Sequence, residues 1–182
     1  MGIDEVGRGC WAGPVVAAAV VLDTPISGLN DSKLLNEARR QQLDNSIRAT
    51  ALAIGIGWVW PTQVDSDGLT AAVRSAMQQA YDQINVSHQE VIIDGSYNFL
   101  PHIPRTKAVI KADSSYPAVS AASIVAKVAR DTYMKNIAAE FPLYGFDKHV
   151  GYGTKTHLEA LNTYGPTIHH RMSYKPLQRF KV

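Results

Sequence analysis

Carboxylates beside a glycine-rich turn are the part of this sequence best suited to chemistry. Asp4 and Glu5 are adjacent, and the turn Gly7-Arg8-Gly9 follows shortly after them. Neighbouring side chains in a strand point to opposite faces, so this pair can share one ion only where the chain bends, and glycine permits such a bend. The segment therefore indicates a divalent metal beside a phosphate-bearing substrate. The plainer alternative is an acidic surface turn.

Two more carboxylates stand where predicted strands end. Asp94 ends one apolar run, and Asp113 lies between another run and a long predicted helix. Ligands of open α/β sheets bind outside the carboxyl ends of strands, so we expect these two acids to join Asp4 and Glu5. Four clustered carboxylates repel one another unless hard cations such as Mg²⁺ or Mn²⁺ bind them. Taken singly, Asp94 also fits a turn and Asp113 a helix cap.

The elements that must position these acids follow an α/β pattern. Apolar periodicity predicts strands at 15–22, 51–60, 90–94 and 106–111, and helices at 35–50, 69–84 and from Pro117 towards Glu140. We expect residues 65–67 to cap the second of these helices and Pro61 to end the strand before it. Early antiparallel strands followed by alternating strands and helices predict a mixed sheet covered by helices.

Composition narrows the class of protein. The chain has 182 residues, 46% hydrophobic and 19% charged, which is typical of one soluble globular domain. No apolar stretch is long enough to cross a bilayer. The single cysteine, Cys10, excludes an intramolecular disulfide framework and a multi-cysteine zinc site. A cytoplasmic location is the simplest expectation.

Basic residues concentrate in the C-terminal third. The net charge is only +2, but from residue 121 onward nine Lys or Arg stand against four acids, interleaved with tyrosines and histidines. Such a mixture suits a polyanion-binding surface. An ordinary solvated surface would have the same composition.

Seven segments, in their order and spacing, resemble the type 2 ribonuclease H (ribonuclease HII) family over nearly the whole chain. They read GIDEVGRG at 2–9, AGPVVAAA at 12–19, DSK at 31–33, IIDG at 92–95, KAD at 111–113, SAASIVAKVARD at 120–131 and GYGTKTH at 151–157. The resemblance implies a ribonuclease H-like mixed β-sheet flanked by helices, with a helical C-terminal extension. It implies a single catalytic domain over 1–182, with its core at about 1–140 and a substrate-binding extension at about 141–182.

The activity that the resemblance implies is metal-dependent endonucleolytic cleavage. Its substrates would be the RNA strand of RNA–DNA hybrids and single ribonucleotides embedded in duplex DNA, cut on the 5′ side to leave 3′-hydroxyl and 5′-phosphate ends. The implied cofactor is Mg²⁺ or Mn²⁺, two ions in the active site. The implied catalytic and metal-binding residues are Asp4, Glu5, Asp94 and Asp113. The implied substrate-binding residues are Gly7, Arg8, Gly9, Ser32, Lys33, Tyr152 and Lys155.

The roles divide by chemistry. Backbone groups of the glycine-rich turn can read a 2′-hydroxyl, which both donates and accepts hydrogen bonds. Lys33 and Lys155 suit phosphates, and Tyr152 would stack on the deoxyribose after the scissile junction. We expect a monomer that binds no membrane. Two alternatives stay open: another metal nuclease on a related sheet, and a non-catalytic nucleic-acid-binding protein.

Overall fold

One mixed sheet forms the centre of the computed structural model, which describes residues 1–24, 26–29 and 35–180. In this part of the chain the sheet has five strands in the order β3-β2-β1-β4-β5. Their bounds are β1 Gly2–Val6, β2 Val15–Val21, β3 Ala53–Val59, β4 Val91–Asp94 and β5 Thr106–Val109. The pairs β1–β2 and β2–β3 are antiparallel, whereas β1–β4 and β4–β5 are parallel. The predicted mixed sheet is confirmed.

The parallel pairing decides which strand ends meet. Gly2 pairs with Ile92 and Ile3 with Ile93, so β1 and β4 run side by side towards Asp4 and Asp94. Strand β5 continues the parallel part, with Asp94 opposite Val109. The carboxyl ends of β1, β4 and β5 therefore lie along one edge of the sheet, as expected for a binding edge.

The described residues contain six α-helices, and the first four of them cover the two faces of the sheet. They are α1 Glu37–Thr50, α2 Pro61–Asp67, α3 Leu69–Asp82, α4 Pro117–Glu140, α5 Phe146–His149 and α6 Lys155–Tyr164. Helices α2 and α3 bury one apolar cluster against the sheet, and α1 with α4 bury another. Small residues on β2 (Ala18) and on α4 (Ala121 and Ala122) pack in one cluster and let the long helix approach the central strands closely. None of the described helices has the length and hydropathy needed to cross a membrane.

The edge strand β3 is hydrogen-bonded by two glutamines, one within α3 and one at its C-cap. Gln79 accepts a hydrogen bond from the Trp58 amide at 3.0 Å, and Gln83 bonds both the amide and the carbonyl of Ile56 at 3.2 and 2.8 Å. Gly57 permits this approach, because a β-carbon there would overlap the backbone carbonyl of Ala76. Pairing of a sheet edge by side chains protects it from pairing with another chain.

Several local expectations need correction. Pro61 begins α2 instead of only ending a strand, and residues 65–67 belong to that helix, so they do not cap the next one, whose N-cap is Gly68. Asp65 instead accepts hydrogen bonds from the amides of Met172 and Ser173 at 2.8 and 2.9 Å. Strand β1 runs through Val6, so the adjacent acids lie within a strand and not at a bend. The other predicted strand and helix boundaries lie within two residues of those found.

Candidate active site

Asp4 belongs to the central strand of the sheet. It lies on β1 opposite Ala18 of β2, and only 6% of its surface is exposed. Its Oδ1 accepts a hydrogen bond from the Glu5 amide at 2.7 Å. Burial first, and then the negative charges of Glu5 and Asp94, raise the pKa of Asp4 well above its usual value. A bound cation would oppose both effects, so this carboxylate fits a metal ligand better than a structural acid.

Glu5 occupies the opposite pleat of the same strand, where it pairs with Ala17. Its Oε1 receives a hydrogen bond from Arg8 at 3.0 Å, while its Oε2 is buried without a hydrogen-bond partner. Burial raises the pKa of Glu5, Arg8 opposes that rise, and the charge of Asp94 adds to it. An unpartnered buried carboxylate oxygen is costly in a folded protein. It therefore marks a place where a cation fits.

Asp94 and Asp113 are joined through the backbone between them. The Ala112 amide donates to Asp94 Oδ1 at 2.7 Å, which holds the short 3₁₀ turn containing Asp113 against the end of β4. Asp113 is 5% exposed, and a cavity of about 150 Å³ opens beside it, lined also by Ser114 and Ser120. The expected meeting of strand ends thus places all four acids along one edge of the sheet.

Their convergence is incomplete. Across residues 1–24, 26–29 and 35–180, no three His, Cys, Asp or Glu side chains come close enough to form a ready-made metal cage. Like charges and the alternation of Asp4 and Glu5 across the pleat both oppose closer approach. The donor set itself, four carboxylates with one unpartnered oxygen, fits hard divalent cations such as Mg²⁺ or Mn²⁺.

The glycine-rich turn is held from behind by Arg171, which is fully buried. Its guanidinium donates to the carbonyls of Gly7 at 2.6 Å, Arg8 at 3.2 Å and Gly13 at 2.8 Å, and to the Tyr174 hydroxyl at 2.8 Å. The Tyr174 hydroxyl in turn donates to the Arg8 carbonyl at 2.5 Å. These contacts fix the direction of two successive carbonyls.

That direction determines where the amides of the turn point. In a trans peptide the N–H and the C=O point in opposite directions. Since the Gly7 and Arg8 carbonyls face Arg171, the N–H groups of Arg8 and Gly9 face away from it. A β-carbon at Gly9 would meet nothing within 4 Å, so a side chain at this position would enter open space. The turn therefore presents two N–H donors on the side away from Arg171.

A second buried arginine, Arg130 of α4, continues the same support. It donates to the carbonyls of Ala12, Pro14 and Val150, each at 2.9 Å. The Val150 bond connects the turn to the segment that carries Tyr152. Arg130 and Arg171 are two of the nine basic residues of the C-terminal third, so their sequence context suggested surface cations. Only their complete burial reveals this structural role.

The remaining predicted substrate-binding residues lie at the surface or outside the described residues. Tyr152 is 42% exposed, and Lys127 lies 5.9 Å from its ring centroid. Lys155 begins α6 with its side chain 89% exposed and 3.8 Å from Glu159. Ser32 and Lys33 fall outside the described residues.

Comparison with known proteins gives a consistent family. The profile of the ribonuclease HII family matches residues 1–177. Ribonuclease HII of Bacillus cereus is 48% identical over 179 residues, which is 97% of this chain and 69% of that protein. Ribonuclease HII of Bacillus thuringiensis is 46% identical over the same span.

Solved structures agree with the fold. The ribonuclease HII in the complex with PCNA from Archaeoglobus fulgidus superposes with a TM-score of 0.80 at 26% identity, over 96% of this chain and 94% of that one. A ribonuclease HIII, Bst-RNase HIII in complex with Mn²⁺, gives 0.75 at 20% identity, over 98% and 67%. The second likeness supports the fold alone. This chain belongs to the ribonuclease HII family and is a type 2 ribonuclease H, an endonuclease that acts on RNA–DNA substrates.

Proposed function

We propose that this enzyme cuts the RNA strand of RNA–DNA hybrids and also cuts 5′ of a single ribonucleotide embedded in duplex DNA, leaving 3′-hydroxyl and 5′-phosphate ends. The observation that carries the proposal is the outward direction of the Arg8 and Gly9 amides beside a row of buried carboxylates. A site that reads one 2′-hydroxyl and hydrolyses the adjoining phosphodiester needs both features. A nuclease for DNA alone has no use for the first.

The carboxylates are proposed to hold two divalent cations, Mg²⁺ or Mn²⁺. The proposed ligands share one edge of the sheet, and they are Asp4, Glu5, Asp94 and Asp113. Burial raises the pKa of Asp4 and Glu5, and a bound cation would oppose that rise. When bound, such ions supply an activated water and stabilise charge on the leaving oxygen. Membership of the ribonuclease HII family supports this class of cofactor.

The glycine-rich turn is proposed to recognise the ribonucleotide. The Arg8 and Gly9 amides donate to the 2′-hydroxyl or to the neighbouring phosphate. The Arg8 side chain is 52% exposed and bonded to Glu5, so it can contact a phosphate while remaining next to the acids. Arg171 takes no part in binding but prevents the peptide planes from rotating.

The C-terminal part is proposed to hold the DNA beyond the junction. Tyr152 presents a half-exposed ring for stacking on the following deoxyribose, and the Lys127 ammonium lies 5.9 Å from the centroid of that ring. Lys155, Lys33 and Ser32 are proposed to contact phosphates, and of these three only Lys155 lies in the described residues, where it is almost fully exposed.

A cleavage assay on three duplexes tests the proposal. The substrates are an RNA–DNA hybrid, DNA with one ribonucleotide and DNA alone, each with Mg²⁺ or with EDTA. We expect Mg²⁺-dependent cleavage of the first two only, and none by the Asp4→Asn variant, whose melting temperature should be no lower than that of wild type. Cleavage of plain DNA would favour a different metal nuclease, and binding without turnover would favour a non-catalytic protein.

Two variants then separate the roles within the site. Gly9→Val crowds the open side of the turn and should lower kcat/KM on both ribonucleotide-containing substrates. Tyr152→Ala should lower kcat/KM more on the single-ribonucleotide duplex, because that substrate offers fewer features to keep the junction in register. Misplacement by about an ångström costs on the order of a hundredfold in rate. Equal losses for Tyr152→Ala on the two substrates would leave Tyr152 a structural residue.

A further inference from the structure

Behind Tyr152 lies a buried pair of histidines, His157 and His170, called here the histidine pair. Their Nε2 atoms are 3.0 Å apart, and their side chains are 0% and 2% exposed. His149 stacks on His157 with ring centroids 4.4 Å apart, and Phe146 closes the cluster. The metal site makes no use of this cluster, although His157 lies within one of the motifs that carry the family resemblance.

The partners at both ends determine where the protons of the histidine pair are. The Thr167 amide donates to His170 Nδ1 at 2.8 Å, so this nitrogen carries no proton and the neutral ring carries its proton on Nε2. At the other end, His157 Nδ1 lies 2.9 Å from the Tyr152 carbonyl, which can only accept. His157 must therefore carry its proton on Nδ1, and its Nε2 accepts from His170.

The partners at the two ends of the histidine pair therefore require all three hydrogen bonds to point in the same direction. Hydrogen bonds run from Thr167 to His170, from His170 to His157 and from His157 to the Tyr152 carbonyl. A proton added to His157 Nε2 would face the His170 N–H, and one added to His170 Nδ1 would face the Thr167 N–H. Burial lowers the pKa of His157 to about 4 and that of His170 to about 3, so both rings remain neutral at neutral pH.

The backbone that ends this chain of bonds is unusual. Val150 and Gly151 have φ of 42° and 87°, a conformation that L-residues rarely adopt, immediately before Tyr152. The Gly151 amide donates to His149 Nδ1 at 3.2 Å, and the Gly151 carbonyl accepts from the Trp11 amide at 2.8 Å. The segment carrying Tyr152 is therefore held by His149 and His157 on one side, and on the other by Trp11, which follows the glycine-rich turn.

We propose that the histidine pair is a positioning device that fixes the main chain at Tyr152 and so sets where its ring meets the substrate. The inference rests on the substrate role proposed above for Tyr152. The His157 Nδ1–H donor is the effective group, and His170 acts through His157 by holding it in the tautomer that keeps this donor. Neither histidine touches the substrate or the metal ligands.

Two substitutions of His157 separate this role from mere packing. In His157→Asn the side-chain amide nitrogen takes the place of Nδ1 and keeps the donor to the Tyr152 carbonyl. In His157→Gln the amide reaches the place of Nε2, so it keeps the contact with His170 but loses that donor. The measurement is kcat/KM on the single-ribonucleotide duplex and on the RNA–DNA hybrid, with the melting temperature of each variant.

The quantity compared is kcat/KM on the single-ribonucleotide duplex divided by kcat/KM on the hybrid. We expect His157→Gln, like Tyr152→Ala, to lower this ratio about tenfold, and His157→Asn to keep it within about threefold of wild type. Equal effects of the two variants on the ratio would overturn the inference. If Tyr152→Ala changes the ratio and His157→Gln does not, the histidine inference alone fails. If Tyr152→Ala leaves it unchanged, the role proposed for Tyr152 fails and the inference with it.

The wild-type protein provides a second test that does not depend on activity or on a variant folding. Nitrogen-15 NMR of the imidazole rings distinguishes the two neutral tautomers. We expect His157 with its proton on Nδ1 and His170 with its proton on Nε2, both neutral at pH 7. A His157 proton on Nε2, or a charged ring in either residue, would contradict the direction of the hydrogen bonds.

Discussion

Replacing Arg171 with methionine tests whether the buried guanidinium holds the glycine-rich turn. Methionine has a similar length but no donor, so the carbonyls of Gly7, Arg8 and Gly13 lose this partner. Leaving a buried carbonyl without its hydrogen-bond donor costs about 1–3 kcal/mol, so the loss across these three carbonyls should total about 3–5 kcal/mol. In a protein of this size 1 kcal/mol shifts the melting temperature by about 2–4 °C, so Arg171→Met should lower it by about 6–20 °C.

Arg171→Met should also lose activity, and this loss should be visible at temperatures where the variant is still folded. Without Arg171 the Gly7–Arg8 and Arg8–Gly9 peptide planes can rotate, and the outward amides lose their alignment. We expect kcat/KM to fall on the order of a hundredfold on both the hybrid and the single-ribonucleotide duplex. The assay is cleavage at least 15 °C (roughly the expected shift) below the variant's own melting temperature.

The matched control is Arg179→Met. Arg179 is exposed and bonds Asn162 at 3.0 Å, so its loss should change the stability by less than about 0.5 kcal/mol. Two results would refute the reasoning about Arg171. One is an Arg171→Met variant that melts within about 1 °C of wild type, and the other is full activity in a variant that has lost stability.

Three further changes follow from the same contacts. Burial and neighbouring charges raise the pKa of Asp4 in the folded protein, so its ionisation costs stability as the pH rises above the ordinary aspartate range. In EDTA we therefore expect Asp4→Asn to melt above wild type at pH 7.5, with a difference that shrinks towards pH 4. A variant that melts below wild type at pH 7.5 would contradict this. Lys155→Ala should make the slope of log affinity for the hybrid against log salt concentration shallower by up to about one unit. The control is Arg105→Ala, at an exposed residue that precedes β5 at the opposite sheet edge, and it should leave the slope unchanged. Equal slopes for the two variants would place Lys155 away from the phosphates. Gly57→Ala should destabilise the fold by at least about 1–3 kcal/mol, because the new β-carbon overlaps the Ala76 carbonyl. The control Gly9→Ala places its β-carbon in open space and should not destabilise the fold. Equal melting temperatures of the two variants would show that α3 can shift away.

Local patterns in the sequence predicted much of the scaffold. Apolar periodicity located β2, β3, β4 and β5 and the long helix α4, whose bounds at Pro117 and Glu140 agree with the structure. These elements bury one face or one stripe, and that requirement leaves its mark in the order of neighbouring residues. The short helices were missed, because elements of four to ten residues are too brief to show a period.

The chemical types of the candidate site were also readable in the sequence. The order of Asp4, Glu5, Asp94 and Asp113, with glycines beside the first pair, indicated a metal-dependent reaction on a phosphate-bearing substrate. Their arrangement was not readable, since it depends on β1 pairing in parallel with β4, about ninety residues away. The expected bend at the acidic pair was wrong, because antiparallel pairing with β2 continues the strand to Val6.

What only the tertiary structure decided is which polar side chains serve the interior. What these four residues share in the sequence is the context of a basic nucleic-acid-binding surface, yet all are buried: Arg130, Arg171, His157 and His170. The two arginines bond backbone carbonyls far away in the sequence, and the two histidines bond each other. Arg171 bonds carbonyls more than 150 positions away, a distance at which no periodic pattern survives. The sequence by itself determined the residue types of the reaction and most of the strands, because both are local. The direction of the turn's amides and the anchoring of Tyr152 came only from long-range contacts.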